Sequence, residues 1–230
     1  MPAHRTARER ARAEITTAIK EEARNQLATA GADGLSLRAV ARQLGMVSSA
    51  LYRYFPSRDD LLTVLIIDAY NAVGEQAERA AARESGARER WRAICHAIRD
   101  WARAHPHEYS LIYGSPIPGY RAPQDTITPA SRVPVALART VHDGWAAGTL
   151  TESPSAPDLP PGLREQARVV TTAVGVALPD AVVVRTLIAW TQLFGMVGFE
   201  LTGQLVGSMD PADEFFAHAV EEMTRFVGLT

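Results

Sequence analysis

The sequence predicts an all-α protein of about ten helices. It is organised as an N-terminal three-helix head (residues 1–56) and a larger helical body (residues 57–230). Three observations carry this expectation. Apolar residues recur at three- and four-residue spacing through most of the 230 residues, the period of one helix face. The breaks in that pattern coincide with proline and glycine. No run alternates apolar and polar as a half-buried strand would, and no internal repeat occurs.

The elements follow in order. After a polar start, Ala11, Ile15, Ala18, Ile19, Ala23, Leu27 and Ala30 form one stripe that stops at Gly31, a natural position just past a helix end. Asp33-Gly34 turns the chain, and Ser36 stands where an N-cap belongs, ahead of a helix over Leu37 to Leu44. A further short helix is expected from Val47 to Tyr54. Pro56 disfavours helix at Phe55, and Ser57 restarts it, with Asp60 at the capping-box distance. The long helix that follows carries Leu61, Leu62, Leu65, Ile66, Ala69, Val73, Ala77 and Ala80 to about Arg83.

Trp91, Ile94, Cys95, Ile98, Trp101 and Ala102 mark another helix, ended at His105-Pro106, with a short one from Pro106 to Tyr113. Residues 114–123 hold three prolines and two glycines and are expected to be irregular. Helices are then expected over Arg132 to Ala147, Leu163 to about Ala177, and Pro179 to about Val206, with a last one opening at Asp210-Pro211. The loop at 148–162 holds Pro154, Pro157, Pro160 and Pro161.

Within the head, Ala41, Gly45 and Leu51 have the spacing of a helix-turn-helix. A small residue lets the helices approach, Gly takes the turn with positive φ, and an aliphatic side chain fills the wedge. The second helix of such a motif enters the major groove of DNA. Charge agrees. Residues 1–60 hold ten Lys+Arg against seven Asp+Glu, while the remainder holds 14 against 19, so a basic head sits on an acidic chain of net charge −2. Ser48, Ser49, Tyr52 and Arg53 are the groove-facing candidates. Ser36 and Arg38 are placed to touch phosphate through the helix N-terminus and the guanidinium, and Arg58 to do so from the start of the fourth helix. Tyr52 and Tyr54 either donate hydroxyls to phosphate or pack under the head. Arg5 and Arg8 either form a minor-groove arm or make no contact.

The first 62 residues resemble the TetR family of bacterial transcriptional regulators. The resemblance lies in Gly34-Leu-Ser-Leu-Arg-Ala-Val-Ala-Arg-Gln-Leu-Gly45 followed by Ala50-Leu-Tyr-Arg-Tyr-Phe-Pro-Ser-Arg-Asp-Asp-Leu61. Two departures from the family pattern occur. Met46-Val47 replaces the usual Val-Ser after the glycine, and Ser49 replaces the usual Gly before Ala-Leu-Tyr. In the body, the stretches Tyr109–Tyr120 and Trp190–Leu201 resemble one regulatory-domain subset of the family, with Phe194 where that subset often has His. The resemblance implies a homodimer, a DNA-binding head and a variable helical body with a ligand pocket.

The expected function is therefore sequence-specific transcriptional regulation, by a repressor released from a palindromic operator by a small-molecule effector. A nucleoid-binding architectural protein without such a ligand is the alternative. The expected partners are a double-stranded DNA operator, a second copy of the chain through the last two helices, and an effector of unknown identity. Asp180 to Val206 is apolar nearly all round, which requires burial on more than one side, and Gly195 and Gly198 permit close helix approach. The effector pocket is expected among Trp101, Tyr109, Tyr113, Tyr120, His142, Trp145, Trp190 and Phe194.

The sequence calls for no cofactor. His96, His105, His107 and His142 have no compact ligand spacing, so no metal site is expected. No Gly-x-Ser-x-Gly, HExxH, phosphate-loop or dinucleotide motif occurs, so catalysis is not expected. The start of the chain has no apolar segment of a secretory signal, and Cys95 is its only cysteine. The charge-free run between Arg185 and Glu200 is 14 residues, short of the roughly 18 a membrane span needs. A cytoplasmic, nucleoid-associated protein is expected.

Overall fold

The structure is a computed structural model that describes residues 6–151 and 158–229. Arg5, Pro154 and Pro157 lie outside the described residues. Within the described residues there are ten α-helices, one 3-10 turn at Gln124–Thr126 and no strand. The helices are α1 (Ala7–Ala30), α2 (Leu37–Gln43), α3 (Ser48–Leu51), α4 (Arg58–Ala81), α5 (Ala87–Ala104), α6 (Pro106–Tyr113), α7 (Ile127–Ala146), α8 (Pro161–Val174), α9 (Asp180–Leu201) and α10 (Asp213–Val227).

Five boundaries differ from the sequence expectation by three residues or more. α3 ends at Leu51 rather than Tyr54, because the hydrogen bonds tighten. Arg53 and Tyr54 donate to the carbonyls of Ala50 and Leu51, three residues back, as the chain approaches Pro56. α7 begins five residues before Arg132, since Pro129 falls in its first turn, where no N–H is missed. Pro134 is accommodated inside α7. α8 ends at Val174 rather than about Ala177, where Gly175 takes a left-handed φ of +72°. α9 stops at Leu201 rather than Val206, at a turn in which Gly203 takes φ +75°. α10 begins at Asp213, three residues after Asp210-Pro211.

The chain forms two compact units. One runs through Ala69 and takes in His107–Ile127; the other holds Tyr70–Pro106 and Thr128 onward. α4 therefore contributes its first half to the first unit and its second half to the other. The first unit extends beyond residue 56 because the opening turns of α4 bury Leu61, Leu62 and Leu65 alongside Ile19, Ala23 and Leu27 of α1. Polar ties reinforce it. The Asp68 carboxylate accepts from Lys20 Nζ (2.7 Å) and Arg24 (3.0 Å), and Arg24 Nε lies 3.6 Å from Glu108 of α6. The hydroxyls of Thr63 and Tyr120 are 2.9 Å apart.

In the second unit, α5 presents Trp91, Ile94, Cys95, Ile98 and Ala102 to the core, all fully buried. Leu137 and Val141 of α7, Leu193 and Val197 of α9, and Val220 and Met223 of α10 complete it. α4 and α7 approach closely at Gly74, where a Cβ would lie 2.7 Å from that of Arg132. Arg132 spans the crossing, donating to the Glu78 carboxylate (2.6 and 2.9 Å) and to Asn71. That pairing holds the Glu78 carboxyl below its usual range. α5, α9 and α10 meet at Arg99, which bonds Glu200 and Asp213. The chain end is pinned by an isolated antiparallel bridge between Leu150 and Leu229.

Candidate nucleic-acid interface

The head is built on α1. Ser36 caps α2 by accepting the Ala39 N–H, while its own N–H donates to Gln26 Oε1 of α1 (3.2 Å). This fixes where α2 starts. Ala41 is fully buried, and its carbonyl accepts the Met46 N–H (2.8 Å) across a turn in which Gly45 takes φ +65°. Leu51, with no exposed surface, fills the wedge behind α3. The small residue, the positive-φ glycine and the wedge leucine thus occupy the places their spacing predicts.

Ser57 caps α4, accepting the Asp60 N–H (3.1 Å) while its hydroxyl donates to the Asp60 carboxylate (2.6 Å). Arg58 is half-buried. Its guanidinium donates to the carbonyls of Ala32 (2.7 Å) and Leu35 (3.3 Å), so it braces the loop between α1 and α2. Tyr54 is half-buried under the Arg12 guanidinium, 5.5 Å from ring centroid to Cζ. Ser36 and Ser48 are also half-buried, whereas Arg38, Ser49, Tyr52 and Arg53 are exposed. Arg42, Gln43 and Val47 are exposed too and were not among the sequence candidates.

Arg38 and Arg42 stand four residues apart on α2, with no carboxylate partner among the described residues. Like charges at that spacing oppose helix formation by a few tenths of a kcal/mol. Their retention on an exposed face suits an external polyanion. Replacing Arg38 with alanine is expected to weaken binding to all DNA sequences alike and to lower the salt slope of log K by roughly one unit. A titration across salt concentrations checks this, and an unchanged slope removes Arg38 from the phosphate contacts.

The eight pocket candidates divide between the two units. In the first, the Tyr109 and Tyr113 rings are 5.2 Å apart, and Tyr120 engages Thr63. Burial pushes the Tyr109 phenol pKa up, so it stays neutral. In the second, Trp101 tilts against His105 (5.7 Å) and borders an open groove of about 360 Å³ with Arg79, Arg83 and Asp100. His142 is half-buried with Nδ1 3.5 Å from Asp143, and Trp145 is partly exposed. Trp190 packs against Phe194 (5.8 Å) and is the one candidate that borders an apolar cavity between α7, α8 and α9.

That cavity measures about 40 Å³ and is walled by Leu137, Val170, Val174, Val183, Leu187 and Trp190 among others. Its wall is mostly aliphatic, with Trp190, Thr171 and Thr186 as the exceptions, and none of its lining residues is charged. The signal for it was the four-residue spacing of Val170 with Val174 and of Val183 with Leu187, which reads from sequence as ordinary core.

Comparison with known proteins agrees with the geometry. Residues 19–65 match the family described as bacterial regulatory proteins, tetR family, and residues 91–223 match a tetracyclin repressor-like C-terminal domain. The chain is 39% identical over 214 residues to the HTH-type transcriptional regulator Rv1816 of Mycobacterium tuberculosis and to Mb1846 of Mycobacterium bovis, covering 90% of each chain. The crystal structure of SCO4313, a protein assigned a regulatory role, superposes with a TM-score of 0.78 at 35% identity, over 95% of this chain and 98% of that one. The TetR-family regulator PfmR of Thermus thermophilus shares the fold at 19% identity, with a TM-score of 0.61 over 90% and 97% of the two chains. With a helix-turn-helix head, an all-helical body and relatives matched over nearly their whole length, the chain belongs to the TetR family and is a DNA-binding transcriptional regulator.

Proposed function

We propose that the protein is a homodimeric repressor that leaves a palindromic operator when a small-molecule effector enters its body, residues 57–230. The observation that carries the DNA half of this reading is the exposed, unpaired set Arg38, Arg42, Arg53, Ser49 and Tyr52 around the α2–α3 turn. One head offers too little surface for tight specific binding, so two heads on two half-sites are required. Ser48 and Ser49 read bases, Arg38 and the α2 N-terminus at Ser36 hold phosphate, and Arg58 keeps the supporting loop in place.

Dimerisation through α9 and α10 is supported by what α9 leaves uncovered. Only 39% of its most apolar 18-residue window is buried within the chain. Ile188, Gly195 and Phe199 are exposed at seven- and four-residue spacing, so they share one face. A second copy would cover that face. The effector reading rests on the aliphatic cavity beside Trp190, which suits a neutral apolar molecule. At about 40 Å³ it must widen to admit one. A ligand that favours the widened state shifts the population away from the DNA-competent one by its differential affinity, commonly 1–3 kcal/mol. α4, shared between the two units, is the lever. The reading includes a cytoplasmic location and assigns the chain no cofactor, no membrane partner and no catalytic role.

Genome-wide occupancy measured with transcript levels tests it. A few promoter operators whose genes rise in expression on deletion of the regulator are expected. Many dispersed sites without such a response would favour the architectural alternative.

A further inference from the structure

We propose that Val47 reads a thymine: its methyl groups meet the C5-methyl of one T in each half-site, which makes Val47 a specificity-determining residue. The inference rests on the reading of the head as a sequence-specific DNA binder and goes one step further, to the base.

Val47 occupies the N-cap of α3, with φ −70° and ψ 138°. That position favours Ser, Thr, Asp or Asn, whose side-chain oxygen satisfies a free N–H of the first turn, and an apolar residue there forgoes that bond. α3 accordingly has no side-chain cap. The loss falls on a helix of only four residues, with serines at 48 and 49 immediately alongside. Burial does not compensate, because Val47 is 70% exposed. The valine thus breaks the capping rule and the burial rule together. Such double violations mark functional positions.

The chemistry of the neighbours narrows the function. The side chains of Ser49, Tyr52 and Arg53 are exposed and all carry hydrogen-bonding groups; that of Val47 carries none. In the major groove the edges of A, G and C offer donors and acceptors, and the one apolar group is the methyl of T. The backbone at Val47 is fixed, since its carbonyl accepts the Ala50 N–H (2.9 Å). Its β-branched side chain is stiff, so little entropy is lost on contact.

The test uses a duplex selected from a randomised pool by the full-length protein, with each T replaced in turn by deoxyuridine, which removes only the methyl. At one position per half-site the wild type should bind about fourfold more weakly, the value of one buried methyl, and should be indifferent elsewhere. Val47→Ser restores a capping side chain. It should keep or raise the thermal midpoint while erasing the T/U ratio, and Val47→Ala should erase it as well. Equal binding of T and U at every position overturns the proposal, as does a T/U ratio that persists in Val47→Ser. Failure to enrich any duplex overturns instead the reading of the head on which it rests.

Discussion

Replacing Arg99 with methionine is expected to destabilise the body by about 3 kcal/mol, although the substitution removes no core volume of note. Arg99 stands on α5 with only 5% of its side chain exposed. Its guanidinium grips Glu200 in the last turn of α9 through two bonds of 2.7 Å, and Asp213 in the first turn of α10 at 2.9 Å. It also stacks on Phe216, with Cζ 4.8 Å from the ring centroid. Removing it leaves the Glu200 carboxylate, 17% exposed, with only Arg103 at 3.8 Å. A buried charge stripped of its partner costs roughly 3–5 kcal/mol. The lower end applies because Asp213 is exposed and can return to water.

A thermal scan reads the loss, as a drop of roughly 2–4 °C per kcal/mol for a chain this size. Arg99→Lys should recover little, since a point ammonium has neither the two-pronged geometry nor the flat face that Phe216 meets. Arg99→Met with Glu200→Gln should recover part of the loss, because no bare carboxylate remains. A loss below about 1 kcal/mol in Arg99→Met would show that the three-helix junction is held by its apolar contacts alone.

Leu51→Ala is expected to abolish specific DNA binding and to cost roughly 2–5 kcal/mol. Leu51 is completely buried in the wedge of the helix-turn-helix. Its loss leaves a cavity beneath a four-residue helix that cannot hold its own shape. Leu51→Met, which preserves volume, should cost less than about 1.5 kcal/mol and keep binding. Operator titration with near-wild-type affinity for Leu51→Ala would show that α3 is positioned by something other than its contact with α2.

The fold was legible wherever periodicity and punctuation agreed. Gly45 announced the turn, Ser36 and Ser57 announced their helix starts, and Pro106 separated α5 from α6. Boundaries slipped where the deciding term was tertiary or conformational. Arg132 reads as a helix start that leaves Pro134 in the first turn, but α7 begins at Ile127 and carries Pro134 in its interior, and Gly203 ends α9 within a stretch whose apolar pattern continues to Val206.

The site was legible in parts. Arg38, Ser49, Tyr52 and Arg53 are exposed around the predicted turn because the motif spacing fixes which residues face out. Arg58 could not be read from sequence as a brace for the Ala32 and Leu35 carbonyls, since that contact joins residues more than twenty apart. The aromatics of the body were attractive as a pocket because of their size. The structure spreads them over several elements, and the cavity beside Trp190 is walled by valines and leucines that resemble core in any sequence reading.

Selection from a randomised duplex pool with the full-length protein, followed by stoichiometry on the winning duplex, decides whether two of these heads read one palindromic operator. Enrichment of an inverted repeat is expected, with half-site centres about 10 base pairs apart or a multiple of that. Two chains should bind each duplex, with an affinity at least about 10³-fold above that for unrelated DNA. Binding that stays within a few-fold for all sequences, or one chain per selected duplex, would rule out paired heads on a palindrome.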